Sequence, residues 1–243
     1  MIKNVCNISA ALLLVIAFGV LTASKSINDD ERFISHTVDL KKHDLKLYWK
    51  DNKNQPFRSL QRLKEWLDSN GRKMVFAMNG GMYKTDNSPL GLFIEANKII
   101  TPLNTRSASG NFYLKPNGVF YITNDNHATI CTTDQFKKDT KIKYATQSGP
   151  MLLVNGKIHD AFTKNSKNVN IRNGVGLLAD GKLLFAMSKT LVNFYDFAEF
   201  FKKAGCKNAL YFDGFVSRTY LPEKNWIQTG GDCGVIIAES VAK

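Results

Sequence analysis

The stretch NALYFDGFVSRTY, residues 208–220, combines an apolar run with a carboxylate, a glycine and several polar residues directly behind it. The run from Ala209 to Phe212 predicts a buried strand, bounded by turn residues where it leaves the core. Asp213 therefore stands at the end of that strand beside Gly214, a position where catalytic and binding groups are often found. An aspartate that closes an ordinary turn is the alternative, so other parts of the chain must decide between the two.

Three further apolar runs also end in polar residues, two of them beside glycines. The residues at these ends are Asn79 with Gly80 and Gly81, Gln147 with Ser148 and Gly149, and Ser188. Glycines beside a strand end allow a backbone or a ligand to approach closely. We expect the three ends to meet Asp213 at one site, where the turn at Asn79 holds a sugar hydroxyl or a phosphate oxygen. A plain hairpin turn at Asn79 is the alternative.

Length and composition indicate a single soluble domain behind an export signal. The 243 residues are 44% apolar and 22% charged, and no linker rich in Pro, Gly or Ser divides them. Lys3 precedes the apolar run 10–23, which has the length of a signal-peptide core and is short for a membrane span. We expect a signal peptide (1–23) cleaved near Ala23, a flexible segment (24–32) and one domain (33–243). The protein is then periplasmic or secreted, and an uncleaved N-terminal membrane anchor is the alternative.

The charge balance favours anionic partners. The formal net charge is +12 at pH 7, which suits nucleic acid, anionic envelope polymers or phosphorylated substrates. No basic run is interleaved with aromatic residues, as a groove for nucleic acid requires. We therefore expect an anionic carbohydrate or sugar phosphodiester as partner, with an envelope association and no nucleic acid.

Cysteine and histidine spacing gives no cofactor site. Cys131, Cys206 and Cys233 remain after the predicted cleavage, and either a Cys206–Cys233 disulfide or buried free thiols are compatible with export. The chain has no C-x-x-C, and its four histidines show no spacing typical of metal ligands. We predict neither a cofactor nor a metal, and no Cys/His nucleophile.

Periodicity predicts an α+β fold. A helix lies between Pro56 and the pair Asn70-Gly71, and a second spans about 194–204 with Asn193 as its N-cap. Nearly everything else from Lys73 onward is short strands. Three of their connections carry the hairpin pairs Asn117-Gly118, Asn155-Gly156 and Asp180-Gly181. We expect one domain with a bent, mixed β-sheet and a few helices packed on its outside.

Two arginines near the predicted strand ends are further candidates for substrate binding. Arg172 precedes a predicted strand, and Arg218 comes five residues after Asp213. A guanidinium group can bind phosphate or carboxylate with two hydrogen bonds, although a surface salt bridge is the alternative for each. The segment Gly176–Lys182 has the glycine spacing of a phosphate-binding loop, but Leu183 replaces the required Ser or Thr. A strand, a turn and a strand explain that segment better.

Eight segments occur in a consistent order along residues 78–223. They are MNGGMY (78–83), PLGLFIE (89–95), PLN (102–104), GNFYLKPNGVFYI (110–122), ATQSGPMLLVNGKIH (145–159), IRNGVG (171–176), VNFYDFAEFFKKAGCKNALYFDG (192–214) and SRTYLPE (217–223). Together they resemble the phosphodiester glycosidase family of the uncovering-enzyme type, and in particular its small bacterial branch. The resemblance places the family's Asn-Gly-Gly on residues 79–81, its Gln-Ser-Gly-Pro on 147–150 and its arginine on Arg172.

One loop departs from the family pattern. The family's Asp-Gly-Gly-Gly-Ser is matched only by Asp213-Gly214, after which Phe215 and Val216 replace two glycines before Ser217. Bulk at these positions is expected to narrow or reshape the pocket that the loop forms. The departure therefore concerns the identity of the substrate more than the role of the aspartate.

The resemblance implies an exported hydrolase that cleaves a phosphodiester-linked glycosidic bond in an envelope or extracellular glycan. Arg172 would bind the phosphate, Asn79 and Gln147 would orient the sugar, and Asp213 would supply the carboxylate. The further candidates for substrate binding are Gly80, Gly81, Ser148, Gly149, Ser188, Arg218 and Glu95. Glu95 is the candidate second carboxylate, although a glutamate paired on a sheet face explains it equally well. A binding module that holds an anionic envelope glycan without turnover is the alternative function.

Overall fold

The computed structural model describes residues 30–243, so the predicted signal peptide and residues 24–29 lie outside the described residues. The described strands are β1 (Phe33–Val38), β2 (Leu45–Tyr48), β3 (Arg72–Asn79), β4 (Phe93–Glu95), β5 (Lys98–Thr101), β6 (Gly118–Thr123), β7 (Ala128–Thr132), β8 (Ile142–Ser148), β9 (Met151–Val154), β10 (Lys157–Ile158), β11 (Asn173–Leu177), β12 (Leu183–Ser188), β13 (Asn208–Asp213), β14 (Thr219–Leu221), β15 (Trp226–Ile227) and β16 (Ile236–Ala242). The helices are α1 (Leu60–Ser69) and α2 (Phe194–Lys203). Within residues 30–243, no helix combines the length and the apolar character needed to cross a membrane.

The strands form three sheets, and the largest hydrophobic cluster contains residues from all three. The strand orders are β1-β12-β11-β13-β9-β10, β15-β14-β3-β16-β2 and β5-β4-β8-β6-β7. Every pair of named strands in the described part of the chain is antiparallel, which differs from the mixed sheet that the sequence predicts. Parallel neighbours need long crossover connections, whereas most connections here are too short for one. The prediction of a mostly β domain with two helices is confirmed.

Strand β13 shows how the sheets are held together. Leu210 and Phe212 point into the central core, while Ala209 and Tyr211 point into a second cluster beneath α2. This alternation follows from the two-residue period of a strand, and it explains why the run is apolar on both faces. Burying each large side chain contributes about 1.5–3 kcal/mol to folding stability. The buried residues of β13 therefore fix the position of Asp213 at the end of the strand.

The two helices begin at caps that the sequence contains. The Ser59 hydroxyl accepts from the backbone N–H of Arg62, and the Asn193 side chain accepts from Asp196. Helix α1 packs on the outside of the sheet that contains β3, and α2 packs on the outside of the six-stranded sheet. Both predicted helices are therefore confirmed, and α2 ends one residue before the predicted boundary.

Not every predicted turn is present. Asn155-Gly156 joins β9 to β10 and Gly181 lies in the β11–β12 turn, with left-handed φ angles of 50°, 79° and 83°. Asn117-Gly118 is no hairpin, because Gly118 already belongs to β6 and the Asn117 amide donates to the carbonyl of Phe112. The segment 111–113 before it forms a short 3-10 helix. These side-chain contacts override the local turn preference of an Asn-Gly pair.

Candidate active site

Asp213 ends β13 as the sequence predicts, and its carboxyl group is buried. Only 6% of the residue is exposed, and Oδ1 accepts a hydrogen bond of 2.9 Å from the backbone N–H of Phe215. Burial raises the pKa of Asp213 to about 6, although the backbone N–H groups of residues 214–216 act in the opposite direction. A carboxyl group that titrates near neutral pH is suited to proton transfer.

A buried amide network joins three strand ends beside Asp213. Asn173 Nδ2 donates to the carbonyl oxygen (2.8 Å) and to Oδ1 (2.9 Å) of Asn79, while Asn173 Oδ1 accepts from Asp213 N at 3.1 Å. The backbone N–H of Arg218 also donates to Asn79 Oδ1 at 2.9 Å. The ends of β3, β11 and β13 therefore meet, and Asn79 lies in the same group as Asp213.

The network leaves one donor of Asn79 unused. Its Oδ1 accepts two hydrogen bonds, which fixes the orientation of the amide, and its buried Nδ2 has no protein partner. A buried donor without a partner costs about 1–3 kcal/mol, so such groups are typical of sites that bind ligands. Asn79 Nδ2 is consequently a candidate donor to a substrate oxygen.

The loop after Asp213 turns one bulky residue outward and the other inward. Phe215 is 95% exposed, whereas Val216 packs against the cluster that contains Cys233. Ser217 Oγ donates to the carbonyl oxygen of Asp213 at 2.8 Å, which closes the loop. The two residues that replace family glycines thus have different positions, one anchoring the loop and one facing solvent.

Tyr83, Cys233 and Arg218 complete the surroundings of Asp213. Burial raises the pKa of Tyr83 to about 12, and the negative charges of Asp213 and Asp232 add to the shift. Burial also raises the pKa of Cys233 to about 12; Asp213 and Asp232 add to this shift, while Arg218 opposes it. Arg218 is exposed, and its Nη1 donates to the Ser217 carbonyl oxygen at 2.9 Å, which leaves the other donors of its guanidinium group for a ligand.

Asp232 is a second carboxylate near this group, and the sequence analysis missed it. Arg58 binds it with two hydrogen bonds, Nε to Oδ1 at 2.8 Å and Nη2 to Oδ2 at 3.0 Å, and Asn87 donates to it at 2.9 Å. The hydrogen bond from Arg58 holds the pKa of Asp232 below its usual range. The one local sign that Asp232 could belong to a site is its position in the glycine-rich segment TGGDCG (229–234).

Arg172 has different partners from those expected of a phosphate ligand. Its guanidinium group is completely buried, donates to the carbonyl oxygens of Val192 and Asn168 at 2.9 Å each, and lies 3.6 Å from the ring centre of Phe194. Burial lowers the pKa of Arg172. Its backbone N–H donates to Ser188 Oγ at 2.9 Å, so the hydroxyl group of Ser188, another predicted site residue, is bound inside the protein. Both side chains support the start of β11 beneath the site.

Gln147, Ser148 and Gly149 are likewise used inside the protein. Gln147 Oε1 accepts from the backbones of Leu92 (3.0 Å) and Asn104 (2.9 Å), and its Nε2 donates to the Asn104 carbonyl oxygen at 2.8 Å. Ser148 Oγ donates to the Phe212 carbonyl oxygen at 2.7 Å, one residue before Asp213. A side chain on Gly149 would lie 2.6 Å from Asn117 Cβ.

The glycines after Asn79 are required by close packing. A Cβ atom on Gly80 would lie 2.5 Å from Ile237, and one on Gly81 would lie 2.8 Å from Thr146 Oγ1. The Thr146 hydroxyl donates to the Gly80 carbonyl oxygen at 2.9 Å. This contact attaches the turn to β8, so the two glycines bring β3, β8 and β16 together at the site.

Glu95 lies away from Asp213. Burial raises its pKa to about 7, and its hydrogen bond comes from the backbone of Trp49. Its neighbour Ile94 pairs with Ala145, so Glu95 lies about four residues, or roughly 13 Å, from the level of Ser148 along β8. The structure therefore does not bring the predicted second carboxylate to the site.

The described cysteines are all unpaired. Cys206 lies under α2 and Cys233 lies beside Val216, in different hydrophobic clusters. The disulfide considered from the sequence is not formed, and the alternative of buried thiols applies to both residues.

Comparison with known proteins identifies the family. The sequence model of the phosphodiester glycosidase family matches residues 72–237, which confirms the resemblance. The uncharacterized protein YigE of Escherichia coli K12 is 36% identical over 220 residues, covering 90% of this chain and 86% of YigE.

Two solved structures share the fold. One is the catalytic domain of zebrafish N-acetylglucosamine-1-phosphodiester alpha-N-acetylglucosaminidase, auto-inhibited by its pro-peptide, with a TM-score of 0.59 at 15% identity, covering 87% of this chain and 84% of that one. The other is a Burkholderia pseudomallei K96243 protein described as exported, with a TM-score of 0.56 at 10% identity, covering 85% and 73%. On the evidence of the family match and the identity to YigE, this chain belongs to the phosphodiester glycosidase family.

Proposed function

We propose that this protein is an exported hydrolase that cleaves the glycosidic bond between a sugar and a phosphodiester, in an envelope or extracellular glycan. The observation that carries the proposal is the buried carboxyl group of Asp213, whose pKa is raised to about 6 where three strand ends meet. Membership of the phosphodiester glycosidase family and the net charge of +12 support the same substrate class.

Phosphate is a good leaving group, so the reaction needs little assistance at the departing oxygen. The bond between the anomeric carbon and the phosphate oxygen breaks, and the phosphate leaves with the electron pair. Asp213, as the carboxylate, stabilises the positive charge that develops on the sugar or accepts a proton from the attacking water.

The surrounding residues bind the two halves of the substrate. We assign the phosphate to Arg218, because this residue is exposed five positions after Asp213 and only its Nη1 is used, in a hydrogen bond to the Ser217 carbonyl oxygen, whereas Arg172 is completely buried. Asn79 Nδ2 donates to a sugar oxygen, since it is a buried donor without a protein partner in the hydrogen-bond network around Asp213. The exposed ring of Phe215 offers an apolar surface for the face of a sugar.

The remaining predicted residues have positioning roles in this proposal. Arg172 and Ser188 support the start of β11, from which Asn173 extends to Asn79 and Asp213. Gln147 holds the backbone at Leu92 and Asn104, and Ser148 holds the carbonyl oxygen of Phe212. These contacts keep the reacting groups in one geometry, which is what a phosphodiester substrate with two charged or polar halves requires.

Sugar release from a panel of sugar-1-phosphodiesters tests the proposal. We expect the purified protein to release one sugar with saturation kinetics, while the matching sugar-1-phosphate monoesters and ordinary glycosides react slowly. Calorimetric binding to the same compounds is measured in parallel. Saturable binding of an anionic glycan without release of sugar from any compound would contradict the proposal and favour a binding module.

A further inference from the structure

Two histidines and a glutamate meet at the seam between the six-stranded sheet and the sheet that contains β16. His36 lies on β1, His43 lies in the connection to β2, and Glu239 lies on β16. His36 Nε2 is 2.9 Å from Glu239 Oε2, and His43 Nδ1 is 3.5 Å from the same oxygen. One possible ligand atom from each residue lies within 4.8 Å of the other two.

The cluster lies mostly inside the protein. Side-chain exposure is 10% for His36 and 8% for Glu239, and the His36 ring packs 4.6 Å from the ring of Phe76. The Nδ1 atom of His43 is buried and makes no hydrogen bond. This imidazole nitrogen makes no hydrogen bond although it lies 3.5 Å from a buried carboxylate oxygen, so its bonding capacity remains unused.

A fourth residue orients the first histidine. Glu223 Oε1 is 3.3 Å from His36 Nδ1, on the opposite side of the ring from Glu239. A carboxylate on the outer nitrogen of a histidine fixes its tautomer, so that the inner nitrogen presents a lone pair to a metal. Here Glu223 lies at the outer nitrogen of His36, and the inner nitrogen faces Glu239.

We propose that His36 Nε2, His43 Nδ1 and the Glu239 carboxylate bind a Zn²⁺ ion, with water as the fourth ligand. Ligands at about 2.0–2.2 Å in a tetrahedral site lie roughly 3.3 Å from one another. The two distances to Glu239, 2.9 Å and 3.5 Å, lie on either side of that value. Imidazole and carboxylate are ligands that suit zinc, and the absence of thiolate argues against copper(I).

The metal would connect two sheets and would not take part in the reaction at Asp213. Ile236 pairs with Asn79, and Glu239 follows three residues later, so the cluster lies roughly 10 Å along β16 from the level of the candidate active site. Strand β1 is an edge of the six-stranded sheet and contacts the other sheet through this cluster. Zinc therefore stabilises the folded protein by linking β1 to β16.

Zinc titration of the metal-free protein, without a histidine tag, tests this proposal. We expect one Zn²⁺ per chain by calorimetry, an increase in Tm of several degrees at saturation, and the visible absorption of tetrahedral cobalt when Co²⁺ replaces zinc. His43→Gln and Glu239→Gln are expected to weaken zinc binding at least 100-fold, and Glu223→Gln by about 10- to 100-fold.

His127→Gln is the matched control, because His127 also contacts a carboxylate, that of Asp125, but is exposed. It should bind zinc as the wild type does. His43 is partly exposed, so its variant is expected to fold even where Glu239→Gln does not. The proposal is overturned if the wild type binds no zinc at micromolar concentrations, or if His43→Gln binds it as tightly as the wild type.

Discussion

Asp213 occupies an environment that disfavours its charged form. Burial raises its pKa from 3.8 to about 6, and the folded protein therefore binds a proton at pH values where the unfolded chain does not. Stability from this group is complete below pH 3.8 and is lost as the pH rises through 6. The carboxylate that we propose as catalytic thus lowers stability at neutral pH.

The Asp213→Asn variant should be more stable than the wild type at neutral pH. The amide is neutral at every pH, and its oxygen can still accept from Phe215 N, so the gain is about 2–3 kcal/mol above pH 7. The gain should fall below about 1 kcal/mol at pH 4, where the folded wild type keeps its proton and the unfolded chain is only about half ionised. Thermal unfolding of the two proteins at pH 4 and pH 7.5 measures the difference, and an equal gain at both values would refute the assigned environment.

Arg218 and Arg172 are expected to respond differently to substitution. Arg218→Ala should raise KM for a phosphodiester substrate at least tenfold with little change in Tm, because the side chain is exposed. Arg172→Lys should lower Tm by several degrees, because an ammonium group cannot satisfy both carbonyl oxygens while it packs on Phe194. Kinetics and thermal unfolding of both variants decide which arginine binds the phosphate. A loss of activity in Arg172→Lys at unchanged Tm would favour Arg172 as the phosphate ligand.

Strand β11 is the element that aligns the site, because it places Asn173 between β3 and β13. Its glycines let the neighbouring strand and helix approach: a Cβ on Gly174 would lie 2.5 Å from the Leu210 carbonyl oxygen. The apolar run behind Arg172 predicts this strand, and similar runs predict the residues at the ends of its neighbours. Nothing in the local sequence marks Asn173, since a polar residue beside a glycine and an arginine resembles an ordinary turn.

Gly174→Ala should separate β11 from β13 and disturb the site. The added methyl group meets backbone that cannot move aside, so we expect a loss of about 2–3 kcal/mol in stability and at least tenfold in kcat/KM. Gly230→Ala is the control, since its added methyl group meets nothing within 4 Å. Chemical denaturation and sugar-release kinetics check both variants, and equal behaviour of the two would contradict the close approach of the strands.

The molecule as a whole was partly predictable. Apolar runs, caps and glycines indicate the number and kind of elements, because these depend on neighbouring residues. The antiparallel three-sheet arrangement and the roles of Asp232 and His36 depend on contacts between distant parts of the chain. Asp232 approaches the site only because Arg58 and Asn87, more than 140 residues earlier, bind it. Such pairings leave no local pattern.

Export should leave a chain that begins near Ser24. The apolar run 10–23 after Lys3 has the character of a cleaved signal, so N-terminal sequencing of protein from the periplasm or the medium should give a start close to Ser24. Retention of Met1 in a membrane fraction would instead support the N-terminal anchor.

The most direct test of the catalytic role is turnover and affinity of Asp213→Asn on the phosphodiester that the wild type cleaves best. We expect a decrease of about 10²- to 10⁴-fold in kcat, with Kd changed less than about threefold, because the fold and the binding groups remain. Asp180→Asn, on the exposed β11–β12 turn, should behave as the wild type. A kcat of Asp213→Asn within tenfold of the wild-type value would contradict the assignment of Asp213 as the catalytic carboxylate.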